Sequence, residues 1–132
     1  MKEIDKIAYI EIKDGQILST RSKGKDKYYI PGGKRDEGEN DEETLIREIF
    51  EELKVTIDKE TIKYVGTFKA QADGATDGVL VKMTCYEAEY SGTLVASSEI
   101  EELKWLSFSD IDLVSEVDKI IFNSLKEKGK LR

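Results

Sequence analysis

The sequence contains no histidine. That absence excludes His-based catalytic triads, His-ligated zinc and His-ligated haem, and it leaves carboxylates as the acid–base and metal-binding groups. A single cysteine, Cys85, offers no internal disulfide and suits a reducing interior. Apolar runs are a few residues long, far short of the ~20 that span a bilayer. The opening Met1-Lys2-Glu3-Ile4-Asp5 has no signal-peptide core, so a cytoplasmic protein without membrane association is expected. Basic residues are also in deficit: 21 against 28 acids give a net charge of −7, which opposes binding to nucleic acid polymers.

The chain has 132 residues, enough for one domain over 1–132 with a core of its own. Its acidic excess is concentrated: nine carboxylates lie between Asp36 and Glu52, opposed there only by Arg47. Residues 4–12 read as a strand, Asp14-Gly15 as a hairpin turn and 17–21 as the returning strand. Tyr28-Tyr29-Ile30 runs into the only proline, Pro31, and then Gly32-Gly33, a sharp turn where backbone must approach something closely. Residues 41–53 carry helical periodicity behind Asn40, with Glu43 placed to close a capping box. Strands are expected at 62–72, 79–90 and 103–106. Leu113, Val117, Ile120, Ile121 and Leu125 recur at helical spacing, giving a C-terminal helix over about 110–128. Strands, helix, strands, helix in that order indicate an α+β layered domain.

On a helical wheel with Glu48 at zero, Glu52 falls at about +40° and Glu51 at about −60°. Leu45, Ile46, Ile49, Phe50 and Leu53 fall between roughly +60° and +200° on the same wheel. One side is therefore expected to be buried while three acids cluster beside it. Like charges at these spacings repel, and hard divalent cations such as Mg²⁺ or Mn²⁺ are the natural compensation. Seated there, such ions turn a repellent face into one that attracts polyphosphate and activates water. The chemistry so reached is metal-assisted hydrolysis of a phosphate ester or anhydride.

The spacing then becomes diagnostic. Gly33, Glu39 and the run Arg47-Glu48-Ile49-Phe50-Glu51-Glu52-Leu53-Lys54-Val55 match the Nudix box, G-x5-E-x7-R-E-U-x-E-E-x-G-U, at eight of its nine defined positions. The chain resembles the Nudix hydrolases over residues 33–55. Tyr29 to Gly33 looks like the usual lead-in, and residues 101–106 with Trp105 look like the closing strand.

The resemblance implies an α/β/α sandwich with a mixed sheet, with the box helix at about 41–53. It implies that Glu48, Glu51 and Glu52 are catalytic metal ligands and that Glu48 serves as base or holds the attacking water. Gly32 would lend a carbonyl to the metal, and Glu39 and Arg47 would brace the site from behind. One further acid from a downstream segment is implied, with Glu99, Glu101, Glu102, Asp73 and Asp77 all in contention. The activity implied is Mg²⁺- or Mn²⁺-dependent hydrolysis of a nucleoside diphosphate linked to another group. The compact length favours nucleoside triphosphates. ADP-ribose or another nucleotide sugar is the alternative substrate, and a non-catalytic nucleotide sensor the alternative role. The expected partner is thus a small-molecule nucleotide, met by a monomer or homodimer.

Lys54 departs from the box, standing where glycine ends the helix in a left-handed conformation. A strained exit is expected there, costing about 1 kcal/mol. Arg21 is a candidate phosphate grip. Of Tyr28 and Tyr29, one is expected in the core and the other in a cleft, available to stack on a base. Trp105 and Cys85 read as core.

Overall fold

Alternation along one strand sets the layers. In β1 (Lys2–Tyr9), Ile7 and Tyr9 belong to one buried cluster, while Ala8 and the following Ile10 belong to another on the opposite face. A strand apolar on both faces needs cover on both sides. The computed structural model describes residues 2–72 and 78–132. In it, β1 pairs in parallel with β7 (Val79–Glu87) and antiparallel with β4 (Gly32–Gly33). β7 pairs antiparallel with β6 (Lys63–Gln71), giving a mixed sheet of order β4-β1-β7-β6. A second sheet joins β2 (Ile12–Lys13), β3 (Gln16–Ser22) and β9 (Ile100–Leu106) in the order β2-β3-β9. A small ribbon pairs β5 (Thr56–Ile57) with β8 (Tyr90–Ser91).

Helix α1 (Asp41–Leu53) covers one face, with Leu45, Ile49 and Leu53 against Ile7, Tyr9 and Leu18. Helix α2 (Glu116–Glu127) covers the other, with Val117, Ile121, Phe122 and Leu125 against Ala8, Met83 and Cys85. This is the expected α/β/α sandwich around a mixed sheet. Cys85 is fully enclosed, and burial pushes its thiol up to about 12, which keeps it unreactive.

Four boundaries differ from the sequence reading, one being the strand expected at 103–106, which begins at Ile100. The strand expected at 4–12 breaks after Tyr9, and Ile12 starts β2, joined to β3 by Asp14 (φ 53°) and Gly15 (φ 78°) in a two-residue hairpin turn. The strand expected at 79–90 ends at Glu87, and Tyr90 restarts in the ribbon with β5. The helix expected at 110–128 is two pieces: a 3₁₀ turn, Phe108–Leu113, then α2 from Glu116. Between them Val114 is extended and bridges Tyr28, while the Ser115 hydroxyl caps α2 by accepting from the Asp118 N–H. No described helix is long and apolar enough to cross a membrane.

Candidate active site

Helix α1 begins as its sequence dictates. The Asn40 side chain accepts the Glu43 N–H at 2.8 Å, and Glu43 returns the contact to the Asn40 N–H at 3.0 Å. This capping box fixes the helix register, and hence where its acids point. Just upstream, the Glu39 carboxylate accepts the Asp36 N–H (2.8 Å) and the Thr44 hydroxyl (3.1 Å). Arg47 then grips Glu39 side-on, Nε to Oε2 at 2.7 Å and Nη2 to Oε1 at 2.8 Å. These bonds hold the Glu39 carboxyl down at about 2. The same guanidinium reaches Glu48 Oε1 at 3.0 Å, Glu51 Oε1 at 3.2 Å and the Lys34 carbonyl at 3.0 Å. Arg47 therefore ties the loop before the helix to two of the three box carboxylates.

The two glycines explain how backbone meets these acids. Gly32 has φ +147°, and a Cβ there would lie 2.0 Å from the Ile7 carbonyl oxygen, so only glycine permits this pairing of β4 with β1. Its N–H points away from β1 and donates to Glu52 Oε1 at 3.1 Å. At Gly33 a Cβ would sit 2.5 Å from the Glu48 Cδ, so the Glu48 carboxylate occupies the space that any side chain would fill.

Glu52 is only 6% exposed. Burial, joined by the charges of Glu48 and Glu99, pushes its carboxyl up to about 8, against the pull of the Gly32 N–H. Burial also raises Glu48, with Arg47 opposing it. The wheel is corrected here. Phe50, assigned to the buried side, is 49% exposed, whereas Glu52 is enclosed. The buried sector is centred near Leu45 and Ile49 and reaches over Glu52, because Gly32 and the 95–99 segment pack on that flank.

That segment also selects among the downstream acids. The last turn of α1 has unpaired carbonyls, and two are taken up by it: Ser97 N–H bonds the Glu52 carbonyl and Val95 N–H the Leu53 carbonyl, both at 2.9 Å. Ser98 is left-handed (φ 56°) and its hydroxyl donates to Glu99 Oε2 at 2.6 Å. Glu99 is delivered to Glu52, with which it shares a hydrogen bond. Glu101 is exposed on β9, and Glu102 is engaged by the Tyr28 hydroxyl and by Arg21 at 3.5 Å. Asp73 and Asp77 lie outside the described residues.

Glu48, Glu52 and Glu99 line a cleft of about 520 Å³ together with Gly32, Gly33 and Tyr29, and Lys6, Lys25 and Lys34 are also in its wall. Tyr29 thus faces the cleft while Tyr28 is buried in the core, as the alternation requires. Arg21 lies outside the lining: its neighbours Thr20 and Ser22 face the cleft, while Arg21 pairs with Glu102 and the Lys25 carbonyl. Glu51 is turned outward onto Arg47 and half exposed. Lys6 and Lys34 were not singled out from the sequence. A signal for Lys6 existed, since it interrupts the apolar run Ile4, Ala8, Ile10 on one face of β1.

Among the described residues no three acids or cysteines converge as a preformed metal cage. The donor set nonetheless suits Mg²⁺ or Mn²⁺. Every donor is oxygen, Glu48 and Glu52 are withdrawn from water beside a third carboxylate, and Mg²⁺ binds through one or two carboxylates while keeping water and phosphate ligands.

Known proteins share this fold. A family model described as NUDIX domain matches residues 5–125. The solution structure of the E. coli ORF135 protein superposes with a TM-score of 0.73 at 26% identity, covering 96% of this chain and 92% of that one. The MutT protein from Methanosarcina mazei Go1 gives 0.77 at 19% identity, covering 98% and 96%. A MutT NUDIX hydrolase from Burkholderia pseudomallei gives 0.74 at 21%, covering 93% and 98%. At those identities the latter two speak for the fold alone. No curated protein matches the chain.

Proposed function

This chain belongs to the NUDIX family and is a hydrolase of pyrophosphate bonds; we propose that its substrate is a nucleoside triphosphate and that hydrolysis depends on Mg²⁺ or Mn²⁺. The observation that carries this reading is the seating of Glu48 and Glu52 against Gly33 and Gly32, in a cleft that three lysines share. Glu48, Glu52 and Glu99 would hold the cation, with Glu51 joining once it leaves Arg47 and the Gly32 carbonyl as a further oxygen donor. Bound there, the cation supplies positive charge to the phosphoryl oxygens and lowers the pKa of water.

The chain's own groups do the rest. Lys6, Lys25 and Lys34 offset the negative charge of a polyphosphate entering an acidic cleft. Arg47 holds one oxygen of Glu48, leaving the other to take the proton of the water that attacks phosphorus as the P–O bond to the bridging oxygen breaks and the remaining phosphate group leaves on that oxygen. The Gly32 N–H keeps Glu52 in place, and Glu39 keeps Arg47 in place. The Tyr29 ring is available to the base.

The test is phosphate and pyrophosphate release from a nucleotide panel with Mg²⁺, using native protein and Glu48→Gln. Native turnover that drops about 10²-fold or more in the variant supports the proposal. Equal, metal-independent background from both proteins would overturn it in favour of nucleotide sensing. Turnover confined to ADP-ribose or nucleotide sugars would overturn the choice of substrate alone.

A further inference from the structure

The loop before α1 is gripped from two sides by two arginines. Arg47 takes the Lys34 carbonyl at 3.0 Å and the Asp36 carboxylate at 3.2 Å. Arg35, between those two residues, turns the other way. Its Nη1 donates to Asp5 Oδ2 at 2.6 Å, its Nε to Asp41 Oδ1 at 2.8 Å, and its Nη2 to the same Asp41 oxygen. The second Asp41 oxygen accepts the Tyr86 hydroxyl at 2.5 Å. Tyr86 is met edge-on by the Tyr64 ring, with centroids 5.8 Å apart.

These partners come from separate parts of the fold. Asp5 lies on β1, on the face that Ile7 and Tyr9 present to α1, and Tyr86 lies on β7. Asp41 is the first residue of α1. Arg35 thus joins the box loop, the start of the helix and the sheet. The capping box sets the register inside α1, and the apolar stripe presses the helix onto β1, but neither fixes where along the sheet the helix begins.

Magnitudes separate what this clasp does for stability from what it does for rate. The side chains of Arg35, Asp41 and Asp5 are 30%, 28% and 41% exposed, and ion pairs this open to water contribute little to folding. A shift of about 1 Å at a reacting group, in contrast, costs on the order of 10²-fold in rate. Arg35, Asp41 and Tyr86 are not among the residues lining the cleft, so any effect on the reaction passes through the loop and the helix.

We infer that Arg35 is a positioning residue for the hydrolysis: by clasping Asp41 and Asp5, with Tyr86 on the far oxygen of Asp41, it fixes the start of α1 and so the placement of Glu48 and Glu52. The inference rests on the catalytic roles proposed for those two acids above and adds what holds them in place.

The experiment measures kcat and KM, with the nucleoside triphosphate turned over fastest, for native protein, Arg35→Met, Arg35→Lys, Tyr86→Phe and the double variant Arg35→Met/Tyr86→Phe. Melting temperatures are recorded for each with and without Mn²⁺. Arg35→Met is expected to lower kcat about tenfold with KM within about twofold of native. Arg35→Lys should recover part of kcat, since one ammonium cannot hold both carboxylates as the fork does. Tyr86→Phe, which removes one hydroxyl, should act in the same direction, and the double variant should lose less than the product of the single losses. The rise in melting temperature on adding Mn²⁺ should be smaller in Arg35→Met than in native protein.

Native kcat in Arg35→Met or in Tyr86→Phe would overturn the inference. So would a raised KM at unchanged kcat, which would make Arg35 a substrate contact. Asp5 Oδ1 is enclosed with no partner among the described residues, so Arg35→Met strands that carboxylate. Should that variant not fold, Tyr86→Phe and Arg35→Lys decide the matter. If native protein turned over no nucleotide, the hydrolysis proposal would fall instead, and equal Mn²⁺ shifts in native protein and the variants would still overturn the role of Arg35.

Discussion

The Glu48 carboxylate lies where the side chain of residue 33 would be, 2.5 Å from an ideal Cβ built on Gly33. The obstructing atoms belong to the far end of a flexible side chain, so Gly33→Ala leaves the backbone intact and displaces the carboxylate. A misplacement of about 1 Å at a reacting group costs on the order of 10²-fold in rate. Gly33→Ala is therefore expected to keep its melting temperature within a few degrees while kcat falls by about that factor. Gly32→Ala meets backbone instead, the Ile7 carbonyl at 2.0 Å, and is expected to cost the fold about 2 kcal/mol or more. Thermal melts and steady-state kinetics on both variants check the contrast.

Arg47 joins Glu39, Glu48 and Glu51 through a planar fork. Lysine keeps the charge but has no fork, so it cannot hold Glu39 side-on and Glu48 at once. Arg47→Lys is expected to lower kcat about tenfold or more with little change in KM, since no substrate contact is lost. Glu39→Gln should act in the same direction. Because both act through one network, the double variant should lose less than the product of the single losses. Multiplying effects in the double-variant cycle would show that Glu39 and Arg47 act separately.

The two-layered cover of the sheet, the capping box at Asn40 and the left-handed Lys54 were all legible in the sequence. Each follows from period, from a two-residue signal or from one missing glycine. The enclosure of Glu52 was not, because a wheel knows only its own helix and cannot see Gly32 or the 95–99 segment packed on its flank. Glu99 was not selected either. Its arrival at Glu52 depends on Ser97 and Val95 satisfying carbonyls more than forty residues upstream, a tertiary event without local signature. Arg21 sat at the right strand end, but the pleat alternates, and the cleft takes Thr20 and Ser22 instead. The break at Val114 was hidden because Leu113 continued the helical period by coincidence: it is 40% exposed and lies outside α2.

Glu52 gives metal-free protein an unusual pH profile. Its carboxyl is raised in the folded state from the ordinary 4.5 to about 8. The folded state thus holds this proton more tightly than the unfolded chain. The associated stability is fully present below 4.5 and is lost as pH rises through 8, by at most about 1.4 kcal/mol per pH unit. The lowered acids, Glu39, Asp41, Glu99 and Glu102, work in the opposite sense, but that gain is complete above the ordinary carboxylate range. No histidine titrates between. Melting temperature in EDTA should therefore fall from pH 5.5 to 8.5, Glu52→Gln should flatten the slope, and Mn²⁺ should restore stability at the alkaline end by binding only folded protein. A melting temperature in EDTA that climbs over this range would refute the account.

Lys54 ends α1 at φ 60° and ψ 26°, with its N–H on the Phe50 carbonyl at 3.0 Å. A lysine held in this left-handed conformation costs about 1 kcal/mol relative to glycine. Two terms oppose the gain from replacing it. Glycine gives the unfolded chain more freedom, and the Lys54 ammonium stacks over the Phe50 ring at 5.1 Å, a contact worth about 0.5 kcal/mol at an exposed site. The steric relief is the largest of the three, so Lys54→Gly is expected to be neutral to stabilising by up to about 0.5 kcal/mol, and Lys54→Val, branched at Cβ, to destabilise by more than 1 kcal/mol. Urea midpoints at constant slope measure both. Turnover should be unchanged in Lys54→Gly, because the 95–97 segment, not the residue at the cap, takes up the Glu52 and Leu53 carbonyls and carries Glu99 to the site. A glycine variant that kept its stability but lost activity would place the helix exit itself in the positioning of Glu52.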